Sequence, residues 1–86
     1  MLYFTYIVQC ADDTLYTGIT TDIDCRIDEH NGLTEKDVGS KYTRVRRPVT
    51  LVYQATFPNR SEAMKEEMRI KKMTRSQKQD LIENSK

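Results

Sequence analysis

Two segments rich in β-branched and aromatic residues lie close together at the start of the chain, and they restrict its fold more than any other feature. The first is MLYFTYIVQC and the second is TLYTGIT, and only the turn-forming Ala11-Asp12-Asp13 separates them. Two such runs joined by a short polar turn are typical of a β-hairpin. The sequence therefore predicts a hairpin with strands over about 2–10 and 14–20.

The length of the hairpin turn decides whether Tyr6 and Tyr16 share a face of the sheet. A two-residue turn at Asp12-Asp13 pairs Tyr6 with Ile19 and leaves these tyrosines on opposite faces, because successive side chains of a strand alternate. A connection of three or five residues, or a bulge, brings both to one face. The sequence leaves these alternatives open.

Capping residues and a third apolar run predict the remaining elements. Thr21 or Asp22 can cap a helix that ends at Asn31-Gly32, where the glycine supplies a left-handed residue. Asn59 with Glu62 resembles a capping box. The other predictions are a polar loop over 32–47, a strand over 48–57, a helix opening at Asn59 and running to about Met73, and a helix capped by Thr74 that runs through Ile82. The predicted fold class is α/β (α+β), a small three-stranded antiparallel sheet flanked by helices in the order β-β-α-β-α-α.

Length and composition restrict the kind of protein. The chain has 86 residues, of which 37% are hydrophobic and 31% charged, so we expect a single folded domain over 1–86. No apolar run approaches the roughly 18 residues that a membrane-spanning helix needs, and the N-terminal segment lacks the pattern of a signal peptide. Cys10 and Cys25 match no zinc-binding spacing, and as free thiols they fit a reducing cytoplasm. We therefore expect a cytoplasmic protein.

The net charge of +1 conceals an uneven distribution of charge. Residues 1–40 carry two basic and eight acidic side chains, whereas residues 41–78 carry eleven basic and three acidic ones. A basic block of this size favours an anionic partner, most often nucleic acid. A solvated helix face with surplus lysines explains the same pattern, and charge alone does not choose between them.

The first predicted helix places Arg26 and His30 side by side. At about 100° per residue, both lie at the edge of the apolar stripe that Ile23 and Ile27 form. An arginine in that place can pack its stem against the core while its guanidinium group reaches an open site. The alternative is an ordinary border arginine beside an exposed histidine.

The second predicted long helix places Glu67 in the middle of its apolar stripe and its neighbours Glu62 and Glu66 on the opposite side. A buried carboxylate is unfavourable unless a cation, a metal ion or hydrogen-bond donors compensate its charge. An ion pair with Lys71, one turn further on, is one explanation for Glu67. A metal-ligand role is the other.

Several of these features occur together in one known family. They are Tyr6, Tyr16-Thr17-Gly18, Arg26, His30, and Glu67 within RSEAMKEEMRIKK. In this order and spacing they resemble the GIY-YIG endonuclease superfamily, most closely its short, single-domain bacterial members, and the resemblance extends from Leu2 to about Ile82. Phe4-Thr5-Tyr6 stands where many members have Gly-Ile-Tyr, and Thr17 stands where they have isoleucine. The asparagine that larger members carry after the metal-binding glutamate has no clear counterpart.

The resemblance implies a metal-dependent endonuclease that hydrolyses DNA phosphodiester bonds. Glu67 would hold one divalent metal ion, Mg²⁺ or Mn²⁺, which acts as a Lewis acid at the phosphate. Tyr6 or Tyr16 would take the proton from the attacking water, and positive charge from Arg26 would have to lower the pKa of that phenol. Arg26 would also stabilise the phosphate, and His30 would orient a tyrosine or contact phosphate.

Gly18 is the remaining residue of the motif. A glycine within a strand leaves room for backbone or a phosphate group to approach closely. A turn or a bulge explains this glycine almost as well, so its contribution stays open.

Basic residues beside such a site are expected to bind DNA phosphates, with Tyr42 available to stack on a base. The residues expected to bind nucleic acid are Lys41, Tyr42, Arg44, Arg46, Arg47 and Lys71, and the basic surface extends over Lys65, Arg69, Lys72, Arg75 and Lys78. Contacts of this kind bind any sequence, so we expect DNA recognised by its structure, such as nicked, branched or single-stranded forms. Two alternatives remain: a nucleic-acid-binding module of the same fold with little activity, and a protein-interaction domain whose acidic first helix docks a basic partner.

Overall fold

The computed structural model describes residues 1–31 and 46–85. Within these residues three strands and three helices follow one another as β-β-α-β-α-α, which confirms the predicted α+β class. The elements are β1 (Tyr3–Gln9), β2 (Leu15–Thr20), α1 (Ile23–His30), β3 (Thr50–Phe57), α2 (Arg60–Lys71) and α3 (Arg75–Asn84). The strands form one antiparallel sheet in the order β2-β1-β3, so β1 is central. None of the helices in the described ranges is long and apolar enough to span a membrane.

A three-residue loop, Ala11 to Asp13, joins β1 to β2. The backbone N–H of Cys10 donates to the Thr14 carbonyl at 2.8 Å, and the N–H of Asp13 donates to the Cys10 carbonyl at 3.0 Å. Asp13 has a φ of 66°, a left-handed conformation that aspartate tolerates better than most residues and that commonly closes three-residue hairpin loops. The two-residue turn is therefore excluded.

The register of the hairpin places the tyrosines together. Tyr6 lies opposite Gly18, and Val8 lies opposite Tyr16. Since residues two apart on a strand share a face, Tyr6 and Tyr16 lie on the same face of the sheet. Of the alternatives that the sequence allows, the three-residue connection is the observed one.

Side-chain caps determine where the helices begin. The N-caps of α1, α2 and α3 are Asp22, Asn59 and Thr74, whose side chains accept hydrogen bonds from the backbone N–H groups of Cys25, Glu62 and Gln77. Each satisfies a donor that the first helical turn leaves without a backbone partner. The ends of the helices are less accurately predicted: α2 ends at Lys71 instead of Met73, and α3 continues to Asn84 instead of Ile82. Gly32 lies outside the described residues.

The two faces of the sheet bury separate hydrophobic clusters. On one face, Tyr6, Val8 and other buried residues pack against Ile23 and Ile27 of α1. On the other face, Ile7 packs with Ile70 of α2 and Ile82 of α3. The central strand therefore has α1 on one side and the α2–α3 pair on the other, because its successive side chains point in opposite directions.

The third strand begins later than its sequence predicts. Val49 belongs to the predicted strand, but β3 starts at Thr50. The Val49 N–H donates to Oδ1 of Asn31 at 2.7 Å, and the Asn31 Nδ2 donates to the Val49 carbonyl at 3.2 Å. The side chain of Asn31, at the end of α1, thus satisfies the backbone groups of Val49 that a neighbouring strand would otherwise bind.

Candidate catalytic site

Tyr6 is buried against Gly18, its partner in the hairpin. Only 1% of Tyr6 is exposed. A Cβ atom built at Gly18 would lie 2.6 Å from the Tyr6 Oη and 2.8 Å from its Cζ, both too close for any real side chain. The room that the missing side chain leaves is therefore filled by the ring of Tyr6, and neither a turn nor a bulge explains this glycine. It is not open to a phosphate in this structure.

The hydroxyl of Tyr6 is the point where α1 meets the hairpin. Its oxygen lies 2.8 Å from Nε2 of His30, and Nε of Arg26 donates to it at 3.3 Å. Because the arginine can only donate, the tyrosine hydrogen is left to donate to Nε2 of the histidine. The ring of Tyr16 meets the His30 ring edge-on, with centroids 5.3 Å apart. The structure thus brings together four of the residues that the sequence singled out.

His30 differs from the exposed histidine that one alternative assumed. It has no exposed surface. Burial, and next the positive charge of Arg26, lower its pKa from the ordinary 6.5 to about 4. The ring is therefore neutral at physiological pH, which agrees with its accepting a hydrogen bond from Tyr6.

Burial also decides the protonation of Tyr6, against the expectation from sequence. Removal from water raises the pKa of this phenol to about 12, and this outweighs the opposing effect of the Arg26 guanidinium. The negative charge of Glu67 contributes a further rise in the pKa of Tyr6. Arg26 thus lowers the pKa of Tyr6 as expected, but in the free protein it does not bring that pKa below its ordinary value, because a border arginine compensates only part of the cost of burying a phenolate.

Arg26 connects the buried hydroxyl to the surface. Its side chain is 27% exposed, and its Nη1 lies 3.5 Å from a carboxylate oxygen of Glu29, one turn further along α1. The guanidinium group therefore touches the Tyr6 oxygen on one side and reaches solvent on the other. A phosphate group at this surface would meet a fixed cation.

Glu67 is partly buried, as its place in the apolar stripe predicts. Its side chain is 20% exposed and lies 3.5 Å from Nζ of Lys71. Its negative charge contributes to the raised pKa of Tyr6, so the carboxylate acts electrostatically on that hydroxyl. Within residues 1–31 and 46–85 no three histidine, cysteine or acidic side chains form a metal-binding cluster. A single half-buried carboxylate still fits Mg²⁺, which often takes one protein carboxylate and completes its shell with water and substrate phosphate.

Glu66 contradicts the expectation that it lies on the solvent side of the helix. Its side chain is only 15% exposed. It accepts a hydrogen bond from the Tyr53 hydroxyl at 3.1 Å and pairs with Nε of Arg69 at 2.5 Å. The reason is that Glu66 precedes Ile70 by one turn and lies only about 40° from it around the helix, so it borders the apolar stripe.

Two of the arginines expected to bind phosphate make structural contacts. Nε of Arg46 lies 2.9 Å from a carboxylate oxygen of Asp12 in the hairpin loop. Nε of Arg47 donates to the His30 carbonyl at 2.6 Å, at the end of α1. Lys71 pairs with Glu67. Lys41, Tyr42 and Arg44 lie outside the described residues. The DNA-binding role of all six residues stays a prediction.

Two residues that organise the site were not identified from the sequence motifs. Asn31 binds both backbone groups of Val49, and Thr5 is fully buried and donates to the Ala63 carbonyl at 2.7 Å. Since Ala63 and Glu67 are one turn apart, Thr5 ties the strand residue next to Tyr6 to the turn of α2 that carries Glu67. The departure from the usual motif at Thr5 is the one signal in the sequence that could have indicated this contact.

Comparison with known proteins shows to which family this fold and these site residues belong. Residues 2–80 match the GIY-YIG catalytic domain, and the chain belongs to the GIY-YIG family. Domains of this family are nuclease domains with DNA as the general class of substrate, and they generally use divalent metal ions.

Within the family, the chain is similar to UPF0213 proteins. One from Desulfotalea psychrophila is 54% identical over 83 residues, which are 96% of this chain and 73% of that protein. One from Staphylococcus haemolyticus is 49% identical over 81 residues, 94% of either chain. The solution NMR structure of a UPF0213 protein from Bacillus halodurans has 41% identity and a TM-score of 0.60, over 96% of this chain and 84% of that one. A second NMR structure, of a protein from E. faecalis, has 38% identity and a TM-score of 0.65, over 98% and 85%.

Proposed function

We propose that this protein is a metal-dependent endonuclease that hydrolyses phosphodiester bonds in DNA. The observation that carries the proposal is the convergence of Arg26 and His30 on the Tyr6 hydroxyl, within the electrostatic influence of Glu67. Phosphodiester hydrolysis needs a base for water, a cation for the phosphate and a support for the leaving oxygen. The residues present can supply the first two, and Glu67 can hold the metal ion that supplies the third.

Tyr16 is the better candidate for the general base. Tyr6 is almost fully buried and its pKa of about 12 disfavours deprotonation. Tyr16 is only partly buried, on the same face and next to His30. In this proposal Tyr6 holds Arg26 and His30 in place, and Tyr16 takes the proton of the attacking water. Arg26 stabilises the charge that develops on the phosphate by donating hydrogen bonds from its exposed side.

Glu67 is the proposed ligand of one Mg²⁺ or Mn²⁺ ion. The bound ion would act as a Lewis acid at the phosphate and at the leaving oxygen. Lys71, which pairs with the carboxylate, is exposed, so it can move away when a doubly charged ion takes its place. We further propose that the chain acts as a single domain in the reducing cytoplasm, where Cys10 and Cys25 stay free thiols, on nicked, branched or single-stranded DNA.

A nicking assay on supercoiled and branched DNA tests this proposal. We expect cleavage that requires Mg²⁺ or Mn²⁺ and that falls at least a hundredfold in Glu67→Ala and Arg26→Ala, while both variants keep the fold by circular dichroism (roughly the loss expected for one electrostatic catalytic group). Glu62→Ala is the matched control, because it removes a carboxylate of the same helix that is exposed and paired with Lys65. Full activity in Glu67→Ala would refute the metal-ligand role.

A second candidate is a nucleic-acid-binding module with little activity. The observation in its favour is the state of Tyr6, which is buried and whose pKa of about 12 keeps it protonated. This alternative predicts DNA binding that weakens with salt, no turnover with either metal ion, and no effect of Glu67→Ala on binding.

A further inference from the structure

The ion pairs of α2 divide the basic residues of the last two helices into two groups. Each carboxylate of α2 has a cationic partner: Lys65 pairs with Glu62, Arg69 with Glu66 and Lys71 with Glu67. Among the residues that the structure describes, Lys72, Arg75 and Lys78 have no carboxylate within ion-pair distance. Apart from Arg60 at the start of α2, the uncompensated positive charge is therefore concentrated where α2 meets α3.

Two of these cations line a surface groove beside the hairpin. Its lining includes Arg75 and Lys78 of α3 together with Thr14 and Leu15 at the start of β2. Nη2 of Arg75 donates to the Asp13 carbonyl at 2.6 Å, which holds the guanidinium group against the hairpin. Lys78 is partly buried, as expected for a lysine that packs its stem along an apolar wall. The groove thus holds one oriented cation, Arg75, and a second cation, Lys78, which lies one helical turn further along α3.

Apart from Asp13, the acidic residues near this groove do not cancel its charge. Asp80 of α3 lies about 140° or more around the helix from both cations, and Glu83 lies about two turns beyond Arg75. In the hairpin loop, Asp12 pairs with Arg46 at 2.9 Å, and the Asp13 carboxylate accepts from Nε2 of Gln9 at 3.1 Å. The Asp13 carboxylate is the one acid next to the groove that has no cationic partner among the described residues.

We propose that this groove, lined by Arg75 and Lys78, binds the phosphate backbone of DNA beside the candidate catalytic site. Leu15 of the groove directly precedes Tyr16, and β2 is an outer strand of the described sheet. Leu15 packs on the Ile7 face of the sheet and Tyr16 on the Tyr6 face, so the groove and the tyrosine lie on opposite sides of this edge. A nucleic-acid strand that passes around the edge contacts the two cations on one side and the tyrosine on the other. Phosphate contacts of this kind position the substrate without reading its sequence. The inference rests on DNA being the substrate in the proposed function.

The salt dependence of DNA binding shows whether DNA contacts the cations of the groove or is attracted by the positive charge of the protein as a whole. The test compares Arg75→Gln/Lys78→Gln with Lys65→Gln/Arg69→Gln, which removes the same charge from paired positions of α2. Binding of a labelled DNA duplex is measured by fluorescence anisotropy without metal ions, between about 50 and 200 mM salt. We expect the slope of log K against log salt to become shallower by about 0.9 for each lost phosphate contact, so by roughly 1.8 in the groove variant. The slope should change less in the control, because Lys65 and Arg69 are already paired with carboxylates.

The outcomes separate the groove from the proposed function. Equal slopes in the two double variants, with both folded by thermal melting, overturn the groove and leave the endonuclease proposal standing. Failure of the unaltered protein to bind duplex, nicked or single-stranded DNA at the lowest salt overturns both. A shallower slope in the groove variant alone supports the groove, whether or not cleavage is detected.

Asp13→Asn provides a test in the opposite direction. Asparagine accepts the left-handed φ of 66° at this position, so the loop is preserved while a negative charge beside the groove is removed. We expect DNA binding several-fold tighter than that of the unaltered protein. Binding that is unchanged or weaker in a correctly folded Asp13→Asn variant counts against the groove.

Discussion

Tyr6 is held on three sides, and this explains why its hydroxyl is harder to ionise than the sequence suggested. The ring lies over Gly18, while Arg26 and His30 both contact the hydroxyl. A phenol held in this way cannot swing out to solvent and is hard to ionise, because burial raises its pKa to about 12. At the residue scale, Tyr6 is better suited to hold its neighbours in position than to act as a base.

Gly18→Ala should displace the Tyr6 ring. The added Cβ would lie 2.6 Å from Oη and 2.8 Å from Cζ, and the hydroxyl is fixed by two partners. We expect a loss of about 1–3 kcal/mol in the free energy of unfolding, as for other overpacked cores, measured by urea denaturation. In a double-mutant cycle, Tyr6→Phe should relieve part of this loss by removing the closest atom. Strict additivity of the two changes would contradict the proposed clash.

The buried His30 should make stability depend on pH. Its pKa is about 4 in the folded protein against an ordinary 6.5, so between these values the unfolded chain binds a proton that the folded chain does not. The free energy of unfolding should therefore be highest above pH 6.5 and fall by up to about 3 kcal/mol as the pH decreases toward 4. Denaturation of His30→Gln over the same range is the comparison. A pH dependence equally steep in that variant would exclude His30 as its source.

At the scale of elements, side chains at helix ends join parts of the chain that are far apart in sequence. Asn31, which follows α1, binds the N–H and the carbonyl of Val49 just before β3. Arg47 donates to the His30 carbonyl at the same place. These contacts anchor the end of α1 that carries His30. They also hold together the two chain segments that lie directly before and directly after residues 32–45.

Asn31→Asp should weaken this junction. Aspartate can still accept from the Val49 N–H, but it presents a second acceptor to the Val49 carbonyl in place of the donor. We expect a loss of about 1–3 kcal/mol in the free energy of unfolding, the usual cost of a buried carbonyl without its donor. Asn84→Asp at the exposed end of α3 is the control for the change of charge. Equal stability of the two variants would show that the contact contributes little.

At the scale of the whole molecule, the central strand connects the two halves of the candidate site. Tyr6 points toward α1 with its arginine and histidine, and the preceding Thr5 points toward α2 and donates to Ala63, one turn before Glu67. The basic groove lies on the α2–α3 side of the same hairpin. The proposed catalytic and DNA-binding roles thus fall on different residues, and changes at one should leave the other intact.

Glu67→Gln should separate the two activities. The substitution removes the proposed metal ligand, and it also removes a negative charge and releases Lys71 from its ion pair. We expect no metal-dependent cleavage, and metal-free DNA binding at least as tight as in the unaltered protein, measured by anisotropy. Glu62→Gln, which alters an exposed pair of the same helix, should keep cleavage. Loss of DNA binding in Glu67→Gln would refute this separation.

Local signals in the sequence predicted most of the fold. The caps Asn59 and Thr74 begin their helices as expected, and of the two candidates Thr21 and Asp22 it is Asp22 that begins α1. These caps were predictable because a cap is a contact between residues only three positions apart. The partial burial of Glu67 followed from helical periodicity alone. The expectation that Glu66 lies in solvent was wrong, because Glu66 precedes the buried Ile70 by one turn and borders the same apolar stripe.

The sequence by itself determined the order of the elements, the starting points of the helices and the residues available to the site, since these depend on spacing along one strand or helix. Only the tertiary structure decided that Tyr6 fills the space above Gly18, that burial controls the pKa of Tyr6 and His30, and that Arg46 and Arg47 make structural contacts. Each of these outcomes depends on how closely segments distant in the chain approach one another, and distances of that kind are set by packing and not by local pattern.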